Sequence, residues 1–325
     1  MMKAIGTRRF LLLGSALLSL LAGPLHADPA PIFPTETQLR ALYTLPQSRF
    51  MEIDGEPIHY VVEGKGDPIV LMHGSFASLR QWNGWAKALS RRYRVIRFDM
   101  PPAGLSGPNP QGDISVARKV HIVGEVTRRL GADRFILVAT SSAGVPAAAF
   151  AADQPARVRG LVLNNIAVGP VKLDPSHFPE ALKQVVAEDK THPGYHKPEY
   201  WRQILLLNIE DQRRVTPELV QEWTDLNNRF LQMKMPPVTS ASAGFSRTPD
   251  DLSRMTMPTL LLWSANDHEA MLEREGRKAM ELLASPDKAL VVIPACGHMM
   301  PLDCSAAGLK LAMPFIDRIA KTAPR

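Results

Sequence analysis

A serine, an aspartate and a histidine, in that order along the chain, are the residues best suited to covalent chemistry. Phe135-Ile136-Leu137-Val138-Ala139-Thr140-Ser141-Ser142-Ala143-Gly144 reads as a buried strand running through a small-flanked serine into an alanine-rich helix. So sharp a strand-to-helix turn strains the serine backbone and brings together the backbones two residues before and after it. Those positions must be Gly or Ala, and Ala139 and Ala143 satisfy this for Ser141. Centring the turn on Ser142 would put β-branched Thr140 at a crowded position, so Ser141 is the expected nucleophile. Taken alone, the same stretch also reads as a serine-rich helix cap. A serine hydroxyl attacks only when a base removes its proton, which calls for a histidine and a carboxylate to orient it. Leu260 to Asp267 places a carboxylate just past an apolar run, and Val291 to His298 places a histidine just past the next. Singly, Asp267 suits a helix cap and His298 a loop surface. Together with Ser141 they predict acyl transfer, with His298 as general base and Asp267 as its orienting acid.

These groups need a scaffold that brings distant loops together. Arg49 to Tyr60 reads as two strands around the turn Asp54-Gly55-Glu56-Pro57. Short, nearly all-apolar runs follow at Pro68–Met72, Arg94–Phe98, Arg134–Ala139, Leu161–Leu163, Thr259–Trp263 and Leu290–Ile293, as expected of strands buried on both faces. Helical spacing separates them at Leu79–Leu89, Val116–Leu130, Gly144–Ala152 and Ala306–Ile319. The alternation predicts an α/β fold with a doubly wound, mostly parallel sheet, whose functional groups gather at the strands' carboxyl ends. From 168 to 254 no strand run occurs, but Glu199–Asn208 and Pro217–Phe230 look helical, so this interval is expected to be a helical insertion. The core is then 49–167 with 255–325.

The chain resembles the α/β-hydrolase superfamily from about residue 49 onward. Leu71-Met72-His73-Gly74-Ser75-Phe76 is similar to that family's oxyanion loop, Asp99 to Ser106 to its loop after the fourth strand, and Ser141, Asp267 and His298 to its triad. The resemblance implies an oxyanion hole made by the backbone N–H groups of Ser75 and Ser142, with His73 and Asp99 shaping loops. It also implies that the insertion is a cap over the site. Phe76, Trp201, Trp223, Phe230 and Met299 are the expected pocket residues, with Met233 and Met235 as further cap candidates; as residue types they suit a core equally well. A serine nucleophile argues against haloalkane dehalogenases and epoxide hydrolases, relatives that attack with a carboxylate. An exported serine esterase acting on a small-molecule ester or other acyl substrate is the leading expectation. The alternatives are a carbon-carbon bond hydrolase of the same fold and a non-catalytic ligand-binding protein on this scaffold.

Composition narrows the partners. Of the 325 residues, 45% are hydrophobic and 22% charged, as in ordinary globular proteins. Lys3, Arg8 and Arg9, with no acidic residue before Asp28, account for half of the +6 net charge. The small remainder includes no basic, aromatic-interleaved tract, so nucleic-acid binding is not expected. Cations in residues 1–9, an apolar run from Phe10 to Ala22 and small Ala27 predict a signal peptide over 1–27. Mature protein then starts near Asp28, exported to the periplasm or beyond, by the Sec route or, from Arg8-Arg9, the twin-arginine one. The alternative is an uncleaved anchor, but the apolar run is short of the roughly 20 residues a span needs, so no membrane span is expected in the mature form. Proline-rich 28–48 reads as a tether. Neither metal-ligand spacing nor a phosphate loop is present, so no cofactor and no metal are expected. Cys296 and Cys304 either pair across the loop bearing His298 or pack as free thiols.

Overall fold

Consecutive residues of the central strands go to opposite sides of one sheet and are buried on both. In the computed structural model, Leu137 and Ala139 pack with Val70, Leu163 and Leu261 on one face, while Ile136 and Val138 pack with Ile69, Leu71, Val162 and Leu262 on the other. This is why the strands read as continuous apolar runs with no alternation. The structure describes residues 31–169, 175–192, 194–233 and 246–322. The expected signal peptide, 1–27, lies outside the described residues, as does Met235.

Among the described residues, the unit from Phe33 to Arg325 is built on one sheet of eight strands. They are β1 (Ser48–Ile53), β2 (Glu56–Glu63), β3 (Pro68–Met72), β4 (Arg94–Phe98), β5 (Phe135–Thr140), β6 (Val158–Asn164), β7 (Thr259–Ser264) and β8 (Lys288–Ile293). Their order across the sheet is β1-β2-β4-β3-β5-β6-β7-β8. The β1/β2 and β2/β4 pairs are antiparallel and the remaining pairs parallel.

The helices are α1 (Glu36–Tyr43), α2 (Asn83–Leu89), α3 (Val116–Arg129), α4 (Gly144–Asp153), α5 (Glu180–Asp189), α6 (Pro198–Asn208), α7 (Pro217–Gln232), α8 (Thr248–Arg254), α9 (Arg277–Leu282), α10 (Met300–Asp303) and α11 (Ser305–Lys321). Side chains of α3, α4 and α9 join the first core face, and those of α2 and α11 the second. The structure is thus a mostly parallel sheet with helices on both faces.

Two segments differ from expectation. The stretch expected as a tether contains α1, which Thr35 and Gln38 start with a reciprocal capping box. Its Leu39 and Tyr43 are buried with Leu105 and Leu226, and the Tyr43 hydroxyl donates to Asp225 Oδ2 at 2.6 Å. At the other end, α8 falls inside the expected insertion, yet Leu252 packs in the sheet's own core and Arg254 bridges to Asp153 on α4. Helices α6 and α7 form a separate apolar cluster through Trp201, Leu205, Ile209, Val220 and Trp223, which Ala77 and Met299 join from the loops below.

Candidate active site

The site begins where β5 turns into α4. Ser141 has φ 54°, in the left-handed region that strains a residue with a side chain, and this aims its hydroxyl away from the turn. The turn is tight enough that a Cβ on Gly144 would lie 2.3 Å from Ile166 Cγ2. Gly74, on the loop after β3, approaches the turn so closely that a Cβ there would lie 3.0 Å from that of Ser141.

Ser141 Oγ is 2.8 Å from His298 Nε2, and His298 Nδ1 is 2.8 Å from Asp267 Oδ2. The structure thus brings together three residues from the loops after β5, β7 and β8. Asp267 Oδ1 accepts the backbone N–H groups of Glu269 at 2.8 Å and Ala270 at 2.7 Å, which leaves Oδ2 facing the imidazole. Asn165, just past β6, locks the loops to one another. Its Oδ1 accepts from the Ser264 N–H at 2.8 Å and its Nδ2 donates to the His298 carbonyl at 2.8 Å. A disulfide joins Cys296 to Cys304 across the histidine loop, and Gly297 N–H donates to Asp303 Oδ2 at 2.6 Å within it.

Burial works to lower the basicity of His298, but the charge and hydrogen bond of Asp267 and the charge of Glu269 outweigh it and push the imidazole up to about 9. Glu269 Oε2 stands 3.5 Å from His298 Nε2, on the Ser141 side of the ring.

Ser75 and Ser142 meet through their hydroxyls at 2.8 Å. Ser142 lies in the short turn leading into α4, where backbone N–H groups have no carbonyl ahead of them in the helix. The Ser75 loop is fixed by Gly74 N–H donating to Gln81 Oε1 at 3.0 Å and by Asn227 Nδ2 of α7 donating to the Phe76 carbonyl at 2.9 Å. His73 sits beneath it, with Nδ1–H donating to the Gly74 carbonyl at 2.8 Å and Nε2 accepting the Met100 N–H at 2.9 Å. Burial keeps this imidazole below its ordinary basicity. Asp99 gathers Leu79 N–H at 2.6 Å, Leu105 N–H at 2.7 Å and His59 Nδ1 at 2.7 Å. Burial pushes its carboxyl up, but the bond and charge of His59 hold it below the usual carboxylate range.

A cavity of about 380 Å³ opens on Ser141 and His298, its walls formed by Phe76, Phe178, Leu182, Tyr200, Ile204 and Met299 among others. Of the expected pocket residues, Phe76 and Met299 line it. Trp201, Trp223 and Phe230 do not. Trp201 and Trp223 are 2% and 3% exposed, with ring centroids 5.7 Å apart, and they fill the apolar cluster between α6 and α7. Phe230, 38% exposed, is absent from the cavity wall, and Met233 lies beside Gly107 and Arg229 in a different groove. The reason is the helical period: Trp201 and Leu205 form the buried face of α6, while Tyr200, Ile204 and Leu207 form the adjacent strip that faces the cavity. Sequence reasoning missed Glu269 and Asn165. The signals were a carboxylate two residues past Asp267 and an amide at the end of an apolar strand. Among the described residues no cluster of three or more ligating side chains could hold a metal, and no helix is long and apolar enough to cross a membrane.

Residues 67–303 match the alpha/beta hydrolase fold family, and the chain belongs to it. It is 33% identical over 290 residues to haloalkane dehalogenase 2 of Mycobacterium tuberculosis, covering 84% of this chain and 94% of that one. It is 26% identical over 269 residues to 2-hydroxy-6-oxo-6-phenylhexa-2,4-dienoate hydrolase of Comamonas testosteroni, covering 80% and 91%. Naproxen esterase of Bacillus subtilis superposes with a TM-score of 0.68 at 19% identity, over 86% of this chain and 94% of that one. The protein is a hydrolase of this fold.

Proposed function

We propose that this protein is an exported serine hydrolase that cleaves a carboxylic ester or related acyl substrate through an acyl-enzyme on Ser141. The observation that carries this reading is the unbroken hydrogen-bonded chain Ser141–His298–Asp267 on the wall of an apolar cavity. In this scheme His298 Nε2 takes the Ser141 proton as Oγ bonds to the substrate carbonyl carbon. It then gives that proton to the leaving alcohol as the ester C–O bond breaks. Water, deprotonated by the same nitrogen, attacks the acyl-enzyme and releases the acid and the serine. The N–H groups of Ser75 and Ser142 are assigned to the oxyanion, where one fixed donor is typically worth about 3 kcal/mol of barrier. The alcohol nucleophile speaks against the dehalogenation named for the Mycobacterium relative. Carbon-carbon bond cleavage is the second reading, favoured by the likeness to the Comamonas enzyme, whose named substrate is a dienoate and so carries a carboxylate.

The reading is tested by turnover of short p-nitrophenyl esters as a function of pH. A base must be neutral to accept the Ser141 proton, and Asp267 and Glu269 favour the protonated imidazole. Activity is therefore expected to climb with pH and to be lost as pH falls through about 9, well above the range of an ordinary histidine. A kcat/KM already on its plateau at about pH 7 would show a base with unperturbed titration. No turnover at any pH would remove the acyl-transfer reading itself.

Export is supported by the order of cationic, apolar and small residues before Asp28. The Cys296–Cys304 bridge is of a kind that persists in oxidising compartments. Intact-mass measurement of the exported protein, alkylated unreduced, is expected to show a chain starting near Asp28 with no alkylated cysteine. A chain retaining Met1 contradicts cleavage, and two alkylated thiols contradict the bridge.

A further inference from the structure

Among the described residues lining the cavity, Glu269 is the one carboxylate and there is no Lys or Arg. Its side chain is 29% exposed and partnered, among the described residues, by His298 Nε2 alone. Among the described residues, the cation on the same loop is committed elsewhere: Arg274 gives its Nε to Glu275 and donates to the backbone carbonyl of Glu269, not to the carboxylate. The Glu269 backbone is held by its N–H bond to Asp267 Oδ1, so the carboxylate is set beside the reacting atoms by the same loop that orients the imidazole. One imidazole therefore stands between two carboxylates, and these three described groups together carry net negative charge when His298 is neutral and stay negative when it carries its second proton. The cavity walls include the aromatic side chains of Phe76, Phe178 and Tyr200, and aromatic rings are of a type that favours a cation over an anion.

We propose that Glu269 is a specificity-determining residue that selects substrates by charge, admitting neutral acyl substrates and those carrying an ammonium group and rejecting those carrying a carboxylate. The inference rests on the acyl-transfer reading above and deepens it by naming the substrate class. It also bears on the second reading, because a dienoate would have to bring its own carboxylate into a cavity that already holds one. Two like charges within several ångströms in a partly desolvated cavity repel strongly enough to change a rate by on the order of tenfold to a hundredfold.

The test compares kcat/KM for three p-nitrophenyl esters of matched acyl length, ending in a methyl, a carboxylate or a trimethylammonium group. Full-length wild-type protein is expected to rank ammonium at or above methyl and to disfavour carboxylate at least tenfold. In Glu269→Gln the carboxylate-to-methyl ratio should rise at least tenfold, whatever happens to the absolute rates, while Glu269→Asp, which keeps the charge, should preserve the wild-type ranking. Fluorophosphonate labelling of Glu269→Gln reports that the site is assembled. A ratio unchanged within about twofold in a labelled Glu269→Gln variant overturns the inference alone. Wild-type protein inert toward all three esters and toward the probe overturns the acyl-transfer reading, and the inference with it.

Discussion

Replacing Ser141 by alanine is expected to lower kcat for an activated ester by a factor on the order of 10⁴ to 10⁶, with the fold intact. The loss is large because the serine, base and acid act as a unit: without Oγ there is no acyl-enzyme, and His298 has nothing to deprotonate but water. The fold should survive because alanine accepts the left-handed backbone at 141 no worse than serine does, and Ser141 Oγ has His298 as its partner in the hydrogen-bond network. Ser142→Ala is the necessary comparison. Its hydroxyl bonds to Ser75 Oγ, while the assigned contribution of Ser142 is a backbone N–H that alanine retains, so a loss under about tenfold is expected. A fluorophosphonate probe should label the peptide containing Ser141 in wild type and in Ser142→Ala, and should fail to label Ser141→Ala. If Ser141→Ala keeps full activity and Ser142→Ala loses it, the nucleophile has been placed one residue too early. If neither matters, the triad assignment is wrong.

The central strands were legible because burial on both faces leaves an unbroken apolar signature, and Pro68–Met72 and Arg94–Phe98 are read with the ends the structure has. Leu290–Ile293 reads the same way, yet β8 is the sheet's edge strand and is only partly buried, with Val292 exposed. Strand β6 is read short, as Leu161–Leu163, because Arg159, Gly160 and Asn164 interrupt the run. In the fold Gly160 makes room for Ile319 of α11, and Asn164 is fully buried beside the site. The order Ser141, Asp267, His298 was legible because each residue follows its own apolar run, and parallel strands deliver such positions to one edge.

Phe76 and Met299 line the cavity as read, but the helices' share of the pocket was not legible, since residue type does not say which strip of an amphipathic helix faces the site. Trp201 and Tyr200 are neighbours in sequence, yet one fills the cluster between α6 and α7 and the other the cavity wall. Glu269 and Asn165 escaped for another reason. Their roles come from distances of 3.5 Å to His298 Nε2 and 2.8 Å to the His298 carbonyl, which only the folded loops create. The short helix α1 was hidden by the prolines before it, although Thr35 and Gln38 carry its capping signature.

Asp267→Asn is expected to be nearly as damaging as loss of the serine, by a factor of about 10⁴ in kcat, and the hydrogen bonds around residue 267 explain why so small a change matters. In the native site Oδ1 is occupied by two backbone donors, the N–H groups of Glu269 and Ala270, so only Oδ2 faces His298 Nδ1. Asparagine in this place must keep its carbonyl oxygen toward those two donors and turn its NH₂ toward the imidazole, because the reverse would set N–H against N–H. An NH₂ facing Nδ1 requires that nitrogen to accept, which moves the imidazole's single proton to Nε2. There it points at Ser141 Oγ, where an unprotonated nitrogen with its lone pair free is needed to take the serine's proton, and the base is held in its useless tautomer. The variant also loses the charge that helps hold the imidazole up to about 9, so its remaining activity should titrate at a lower pH than wild type. Steady-state kcat together with the rate of fluorophosphonate labelling reads both effects, since each depends on His298 activating Ser141. An Asp267→Asn enzyme within about tenfold of wild type, with an unshifted pH profile, would show that Asp267 orients nothing and that the base is tuned by Glu269 alone.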